Sequence, residues 1–293
     1  PEMPSLKEVR TRIASVKSTQ QITSAMKMVA ASKLRKAQTG ILQLRPYAGH
    51  QQQLLRQLSA GQGDALSAYN AQRDANRVLY VVFTSNRGLC GAYNTNVIKQ
   101  VNSLLAAAAE AKEEAALITI GRKATEFYAK MPVNIVASYD ELYDQLNYPK
   151  SAEVAESLME LFLSGAYDRI VFVYHQFKNA VVQKLQIEQF LPVENGNDEP
   201  GHHDQETEYI FDPSRQEILT ELIPRILKTQ FFKALLDAWA SELGARMTAM
   251  SQATDNASEL LKELRLTYNK ARQAAITKEI LEIVGGAEAL KNA

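Results

Sequence analysis

Between Leu6 and Leu44, seam positions return at alternating spacings of three and four: Leu6, Val9, Ile13 and Val16, then polar Gln20, Thr23 and Lys27, then Ala30, Leu34, Ala37, Ile41 and Leu44. This is a heptad seam, the pattern of a helix that supercoils with a partner, and only its middle is polar. Ser5 with Glu8 three residues on makes a capping-box start, and nothing before Gly40 breaks the helix. Pro46 is expected to kink the helix rather than end it, because Leu54, Leu55 and Leu58 resume the periodicity. A helix from about residue 5 to about residue 58 is roughly 80 Å long at about 1.5 Å per residue.

A second helical stretch runs from Pro213, a good first helical residue, to Gly285, with Pro224 and Gly244 as weak interruptions. Its apolar stripe passes through Leu236, Trp239, Leu243, Met247, Met250, Ala257, Leu261, Leu264, Tyr268 and Ala271, over a length on the order of 100 Å. Two such helices joined through one domain most simply lie antiparallel, and the longer C-terminal one then projects past Leu6. Its tip, residues 274–289, carries Ile276, Ile280, Leu281, Ile283 and Val284, with Leu290 nearby. That is too much apolar surface for a lone helix in water, so another protein is expected around it.

Between the helices the period changes. Residues 78–84 (VLYVVFT), 116–120 (ALITI), 133–138 (VNIVAS) and 169–174 (RIVFVY) read as short apolar strands, separated by helical stretches near 95–115, 122–130 and 151–164. Residues 181–191 alternate and follow the turn-prone Lys178-Asn179, which predicts a strand added antiparallel to the edge through a hairpin. The fold class is therefore α/β: a long antiparallel coiled coil of N- and C-terminal helices plus a central Rossmann-like αβα domain. The expected divisions are residues 1–60, 75–192, an acidic surface loop at 193–210, and 211–293. That loop has six acidic residues between Glu194 and Glu208 and no Lys or Arg.

The 293 residues balance 33 basic against 33 acidic groups, and Cys90 alone excludes a disulfide framework within the chain. No run approaches the eighteen or so apolar residues of a membrane span, and the start lacks a signal-peptide core, which suggests a soluble intracellular protein. The neutral total hides a local imbalance: ten Lys and Arg lie before Leu58 against Glu2 and Glu8. A solvated face, an acidic protein partner and a nucleic-acid arm all fit such a cationic helix.

Candidate chemistry is sparse. Residues 85–91 (SNRGLCG) place glycines at a strand-to-helix turn, but neither a G-x-G-x-x-G fingerprint nor a Walker loop is present. The plain reading is a tight turn presenting Arg87 and Cys90 at the surface. Cys90 needs a placed base to act as a nucleophile, and neither His50 nor His175 can be set beside it from sequence. His202, His203 and Asp204 are adjacent in the acidic loop, a poor chelating geometry that reads as solvent exposure. No catalytic set, cofactor or metal is expected.

Residues 15–38 (SVKSTQQITSAMKMVAASKLRKAQ), 85–91 (SNRGLCG) and 245–286 (ARMTAMSQATDNASELLKELRLTYNKARQAAITKEILEIVGG) resemble the three signature regions of the gamma subunit of F-type ATP synthase, in order and separation. Asn86 stands where that family's loop usually has Asp, which puts a local salt bridge in doubt. The inserted cysteine-bearing segment of the chloroplast form is missing from the central region, so thiol regulation of that sort is not expected.

The resemblance implies a non-catalytic rotor shaft inside a hexamer of alpha and beta subunits. The Rossmann-like domain would meet the epsilon subunit and the membrane c-subunit ring, on the cytoplasmic face of a bacterial membrane or, alternatively, the matrix side of an organellar one. The cationic helix would meet acidic levers of the beta subunits, not nucleic acid. By similarity, beta-subunit contacts fall at Met26, Lys27, Arg87, Cys90, Arg246, Arg272, Gln273 and Thr277. Sleeve contacts fall at Ile276, Ile280, Ile283 and Val284, and the foot near the ring at Tyr209, Phe211 and Asp212. The weak seam at Gln20, Thr23 and Lys27 is expected to accommodate a contact. A nucleotide-dependent enzyme on the central sheet, or a coiled-coil scaffold, is the competing class. The first needs a phosphate fingerprint and a base; the second needs no apolar tip.

Overall fold

The computed structural model describes residues 5–59, 68–70, 73, 76–144, 146–193 and 215–291. In chain order the elements are α1 (Leu6–Ser59), β1 (Arg77–Phe83), α2 (Tyr93–Glu110), β2 (Glu114–Ile120), α3 (Arg122–Tyr128), β3 (Asn134–Tyr139), α4 (Tyr148–Leu163), β4 (Arg169–Phe177), β5 (Gln183–Leu191) and α5 (Arg215–Lys291). Ser5 caps α1 as its sequence predicts, its Oγ accepting from the Glu8 N–H at 3.3 Å. The helix runs on through Gly40 and Pro46, and α5 runs on through Pro224 and Gly244. The chain divides into two compact units, residues 1–30 with 247–293, and residues 31–246. The unit holding the sheet thus takes in part of both long helices.

In that larger unit the strands order as β3-β2-β1-β4-β5, parallel throughout except for β5. Val81 pairs with Ile118 on one side and Phe172 on the other, and β5 returns antiparallel with Ile187 opposite Val173. Asn179 makes the hairpin, its Oδ1 accepting from the Val181 and Val182 N–H groups at 2.9 and 2.7 Å. Side-chain alternation splits the core into two layers. Leu79, Val81, Phe83, Ile118 and Phe172 face α4 (Leu158, Phe162) and α5 (Ile223, Leu227, Phe231, Leu235). Val78, Tyr80, Val82, Leu117 and Val173 face α2 and α3 through Val97, Val101, Ala124 and Tyr128. The central strands are apolar on both faces because both are covered, which is why they read as runs rather than as alternation.

Two glycines meet close backbone neighbours. Gly121 between β2 and α3 has φ +93°, and a Cβ there would lie 2.1 Å from the Thr84 carbonyl oxygen. Gly244 brings α5 against the β4–β5 turn: a Cβ would stand 3.2 Å from the Ala180 carbonyl oxygen. A residue that reads as a weak point of the helix is therefore a close-packing point.

Candidate functional site

The loop after β1 is built from its own side chains. Ser85 Oγ donates to the Arg87 carbonyl at 2.7 Å, Asn94 Oδ1 accepts from the Ser85 N–H at 2.9 Å, and Asn94 Nδ2 reaches Cys90 Sγ at 3.2 Å. Leu89 and Gly91 both take left-handed backbone, with φ of 64° and 60°. For a leucine that conformation costs on the order of 1–2 kcal/mol, so the surrounding bonds must hold it. The double reversal turns Leu89 outward, 65% exposed, and Cys90 inward, 1% exposed. The surface position expected for Cys90 is thus corrected, and Leu89 stands at the apex beside exposed Arg87. Burial pushes the Cys90 thiol pKa up, which opposes thiolate chemistry.

The neighbouring end of α3 is already satisfied. Its first three N–H groups donate to Asn86 Oδ1 (Arg122, 3.1 Å), the Ser85 carbonyl (Lys123, 3.1 Å) and Thr84 Oγ1 (Ala124, 2.9 Å). Donors that would cradle a phosphate at such a turn are spent on the chain itself. Asn86 also donates through Nδ2 to the Asp140 carbonyl at 2.7 Å. A carboxylate cannot make that bond, so Asn86 bridges Asp140 and the start of α3 as an Asp could not.

In open α/β sheets ligands bind where the strand order reverses, here between β1 and β4. Helix α5 covers groups at that position. Tyr93 Oη donates to the Ala238 carbonyl at 2.9 Å, and Ser241 Oγ to the His175 carbonyl at 2.9 Å. The His175 ring packs at a tilt against Tyr93, with centroids 4.7 Å apart, and burial lowers its pKa to about 4, so it is neutral at pH 7. One turn further on, Arg246 reaches back to the β1 loop. Its Nη1 donates to the Gly88 carbonyl at 2.6 Å and its Nη2 to the Arg87 carbonyl at 3.0 Å. Nε and Nη2 both engage Glu242, and both side chains are 12% exposed. Burial raises the Glu242 pKa, and Arg246 works against that rise. Arg246, expected to meet a partner, spends its guanidinium inside this unit. An i,i+4 Glu–Arg pair is visible in sequence; its target carbonyls are not.

In the smaller unit the two helix segments are antiparallel. Gln20 Nε2 donates to Ser258 Oγ at 2.7 Å, Thr23 and Thr254 share a hydroxyl bond at 2.8 Å, and Lys27 Nζ donates to Ser251 Oγ at 2.9 Å. The polar seam positions therefore form a ladder matched by hydroxyls on α5, an arrangement the first helix alone could not disclose. Lys27 remains exposed and Met26 half-buried, which leaves both able to meet another chain. The fifteen residues from Gln20 back to Ser5 match the fifteen from Ser258 to Gln273, so α5 beyond Gln273 faces no described part of α1. There Ile276, Ile280, Leu281, Ile283 and Val284 are between 47% and 72% exposed. Arg272, Gln273 and Thr277 are exposed too, and Thr277 Oγ1 donates to the Gln273 carbonyl at 2.9 Å, which leaves its oxygen lone pairs outward.

Tyr209, Phe211 and Asp212, with His202, His203 and Asp204, lie outside the described residues. Among the described residues no three His, Cys, Asp or Glu side chains gather as a metal site, and no helix is long and apolar enough to cross a membrane.

The family model described as ATP synthase matches residues 5–290. The ATP synthase gamma chain of Christiangramia forsetii is 53% identical over 289 residues, covering 98% of this chain and 99% of that one. That of Flavobacterium psychrophilum is 52% identical over 291 residues, covering 99% and 100%. Among solved structures, a chain of the Euglena gracilis mitochondrial ATP synthase (OSCP/F1/c-ring) aligns over 97% of this chain and 94% of its own, with a TM-score of 0.72 at 22% identity. A chain of the Tetrahymena thermophila mitochondrial ATP synthase central stalk and c-ring aligns over 79% and 99%, with a TM-score of 0.62 at 23% identity.

Proposed function

We propose a rotary coupling role for this chain, which belongs to the gamma chain family of ATP synthase. It is a central-stalk rotor subunit, and it links ion flow through a membrane ring to ATP synthesis and hydrolysis on other subunits. The observation that carries this reading is the end of α5 beyond Gln273, an exposed helix whose apolar side chains need a surrounding protein. In the proposed complex Ile276, Ile280, Ile283 and Val284 turn within an apolar sleeve at the top of an alpha–beta hexamer. Apolar contact suits a bearing, because it is non-directional and leaves no bond to break at each step.

Beta subunits meet a mostly polar set instead: Lys27 with Met26 on α1, Arg87 with Leu89 on the loop after β1, and Arg272, Gln273 and Thr277 on α5. Catalysis belongs to the beta subunits. This chain shifts their conformational equilibria by offering each a different face in turn, which is coupling through differential contact. Tyr209, Phe211 and Asp212 are assigned to the end facing the epsilon subunit and the c-subunit ring. The chain would then be peripheral, held at the cytoplasmic face of a bacterial membrane by its partners.

The fold supports the non-catalytic reading against an enzyme on the sheet, since α5 covers groups at the strand reversal and the α3 N–H groups are spent internally. Purification of the native complex tests it: one copy of this chain should sit within an alpha–beta hexamer, and the chain freed of partners should hydrolyse no ATP. Robust hydrolysis by the chain alone, lost on changing the loop after β1, would refute the assignment.

A further inference from the structure

The loop after β1 has an apolar apex, strained backbone at that apex, and two carbonyls tied to one guanidinium. We propose that Arg246, aligned by Glu242, is a positioning residue that latches this loop to α5, so that Arg87 and Leu89 meet a partner as a fixed extension of the helix. The partner identity rests on the rotary reading above; the latch itself does not.

Four bonds define it. The Arg246 guanidinium takes the Gly88 and Arg87 carbonyls on one side and Glu242 through two nitrogens on the other. The planar fork makes both links at once, which a lysine ammonium does not reproduce. The Arg87 carbonyl also accepts from Ser85 Oγ, so the latch and the loop's internal bonds converge on one oxygen. Release of Arg246 leaves Leu89 in left-handed backbone with fewer constraints, and relaxation of that turn would bring buried Cys90 toward water. In a shaft that must pass force from helix to partner, a loosely held loop would yield before its contact did.

Cys90 is the chain's single cysteine and reports the state of the latch. Labelling of the full chain by a maleimide, followed by mass, should be slow in the native protein. It should accelerate roughly tenfold or more in Arg246→Ala, and to a lesser degree in Arg246→Lys, because labelling follows local opening. Amide exchange in β1 and β4 should stay unchanged; a parallel rise there would mean general destabilisation and would overturn the latch. Unaltered Cys90 labelling in Arg246→Ala would overturn it as well.

In the assembled complex, Arg246→Ala should slow ATP-driven rotation in the otherwise native chain and add nothing once Arg87 and Leu89 are both Ala. Additive losses would show that Arg246 touches the partner directly, against the proposal. If the Arg87→Ala, Leu89→Ala chain turns at the native rate, the loop's assigned partner is wrong, and the labelling result still decides the latch.

Discussion

Asp237 is a carboxylate buried at a cost. It is 1% exposed, its cation Arg45 stands 3.7 Å away and is itself half in solvent, and burial raises the carboxyl pKa to about 6. Above pH 6 the folded chain carries a charge that the unfolded chain holds more cheaply, and this penalty fades as pH falls from 6 toward the ordinary 3.8. His175 has the opposite sign: its depressed pKa supports folding above 6.5 and that support is lost as pH falls toward 4. Each contribution is about 3 kcal/mol at most, so the two nearly offset across the acid range. Asp237→Asn is expected to raise the urea midpoint of the full chain at pH 8, with the gain gone by about pH 4. The variant should also lose stability more steeply than the native chain between pH 6.5 and 4.5, because His175 then acts unopposed. Identical pH profiles for the two proteins would show that Asp237 is not strained. None of this is legible in sequence, where Asp237 reads as one polar residue on a helix.

At the scale of elements, the polar ladder of the smaller unit trades stability for register. Gln20, Thr23 and Lys27 each bond a hydroxyl at one height on α5, and a shift of the pair by one turn would set Met247 opposite Lys27 or Lys262 opposite Gln20. Thr23→Val together with Thr254→Val should leave helix stability unchanged or raised, since removing both partners of a hydrogen bond is close to neutral. Single Thr23→Val should cost about 0.5–1.5 kcal/mol. Amide exchange across residues 247–264 distinguishes the two. Further along α5, Arg272→Ala with Gln273→Ala removes exposed polar groups and no described packing. The complex should assemble, nucleotide binding to isolated beta subunit should be unchanged, and ATP synthesis should fall by about tenfold or more, as expected for losing the charge-assisted bond of Arg272, about 1.5–3 kcal/mol. Synthesis at the native rate would reduce these residues to an ordinary helix face.

For the whole molecule, a rotor subunit should be complete only inside its complex. Freed of partners, the full chain is expected to show rapid amide exchange in residues 274–291 and firm protection in β1, β2 and β4, whose side chains form both core layers. Assembly should protect the α5 end. Ile280→Lys, which places a charge in the proposed sleeve, should slow rotation without altering protection of the sheet. An α5 end already protected in the free chain would mean that it needs no surrounding protein.

The heptad seam, the stripe on α5, the bare apolar tip and the five strands with their edge hairpin were all determined by the sequence itself. The helical patterns repeat every 3.5 or 3.6 residues, and the strands are short apolar runs between turn signals, with alternation confined to the edge. The family was legible for a related reason, because long runs of residues at both ends match it in order. Only the tertiary structure decided that Cys90 turns in and Leu89 out, which depends on two left-handed residues held by Ser85 and Asn94. Only it showed that Gly244 is a packing contact, that Arg246 is occupied by carbonyls 158 and 159 residues away, and that the weak seam is a hydrogen-bonded ladder. These facts join residues far apart in the chain, and a local pattern has no means of encoding its distant partner.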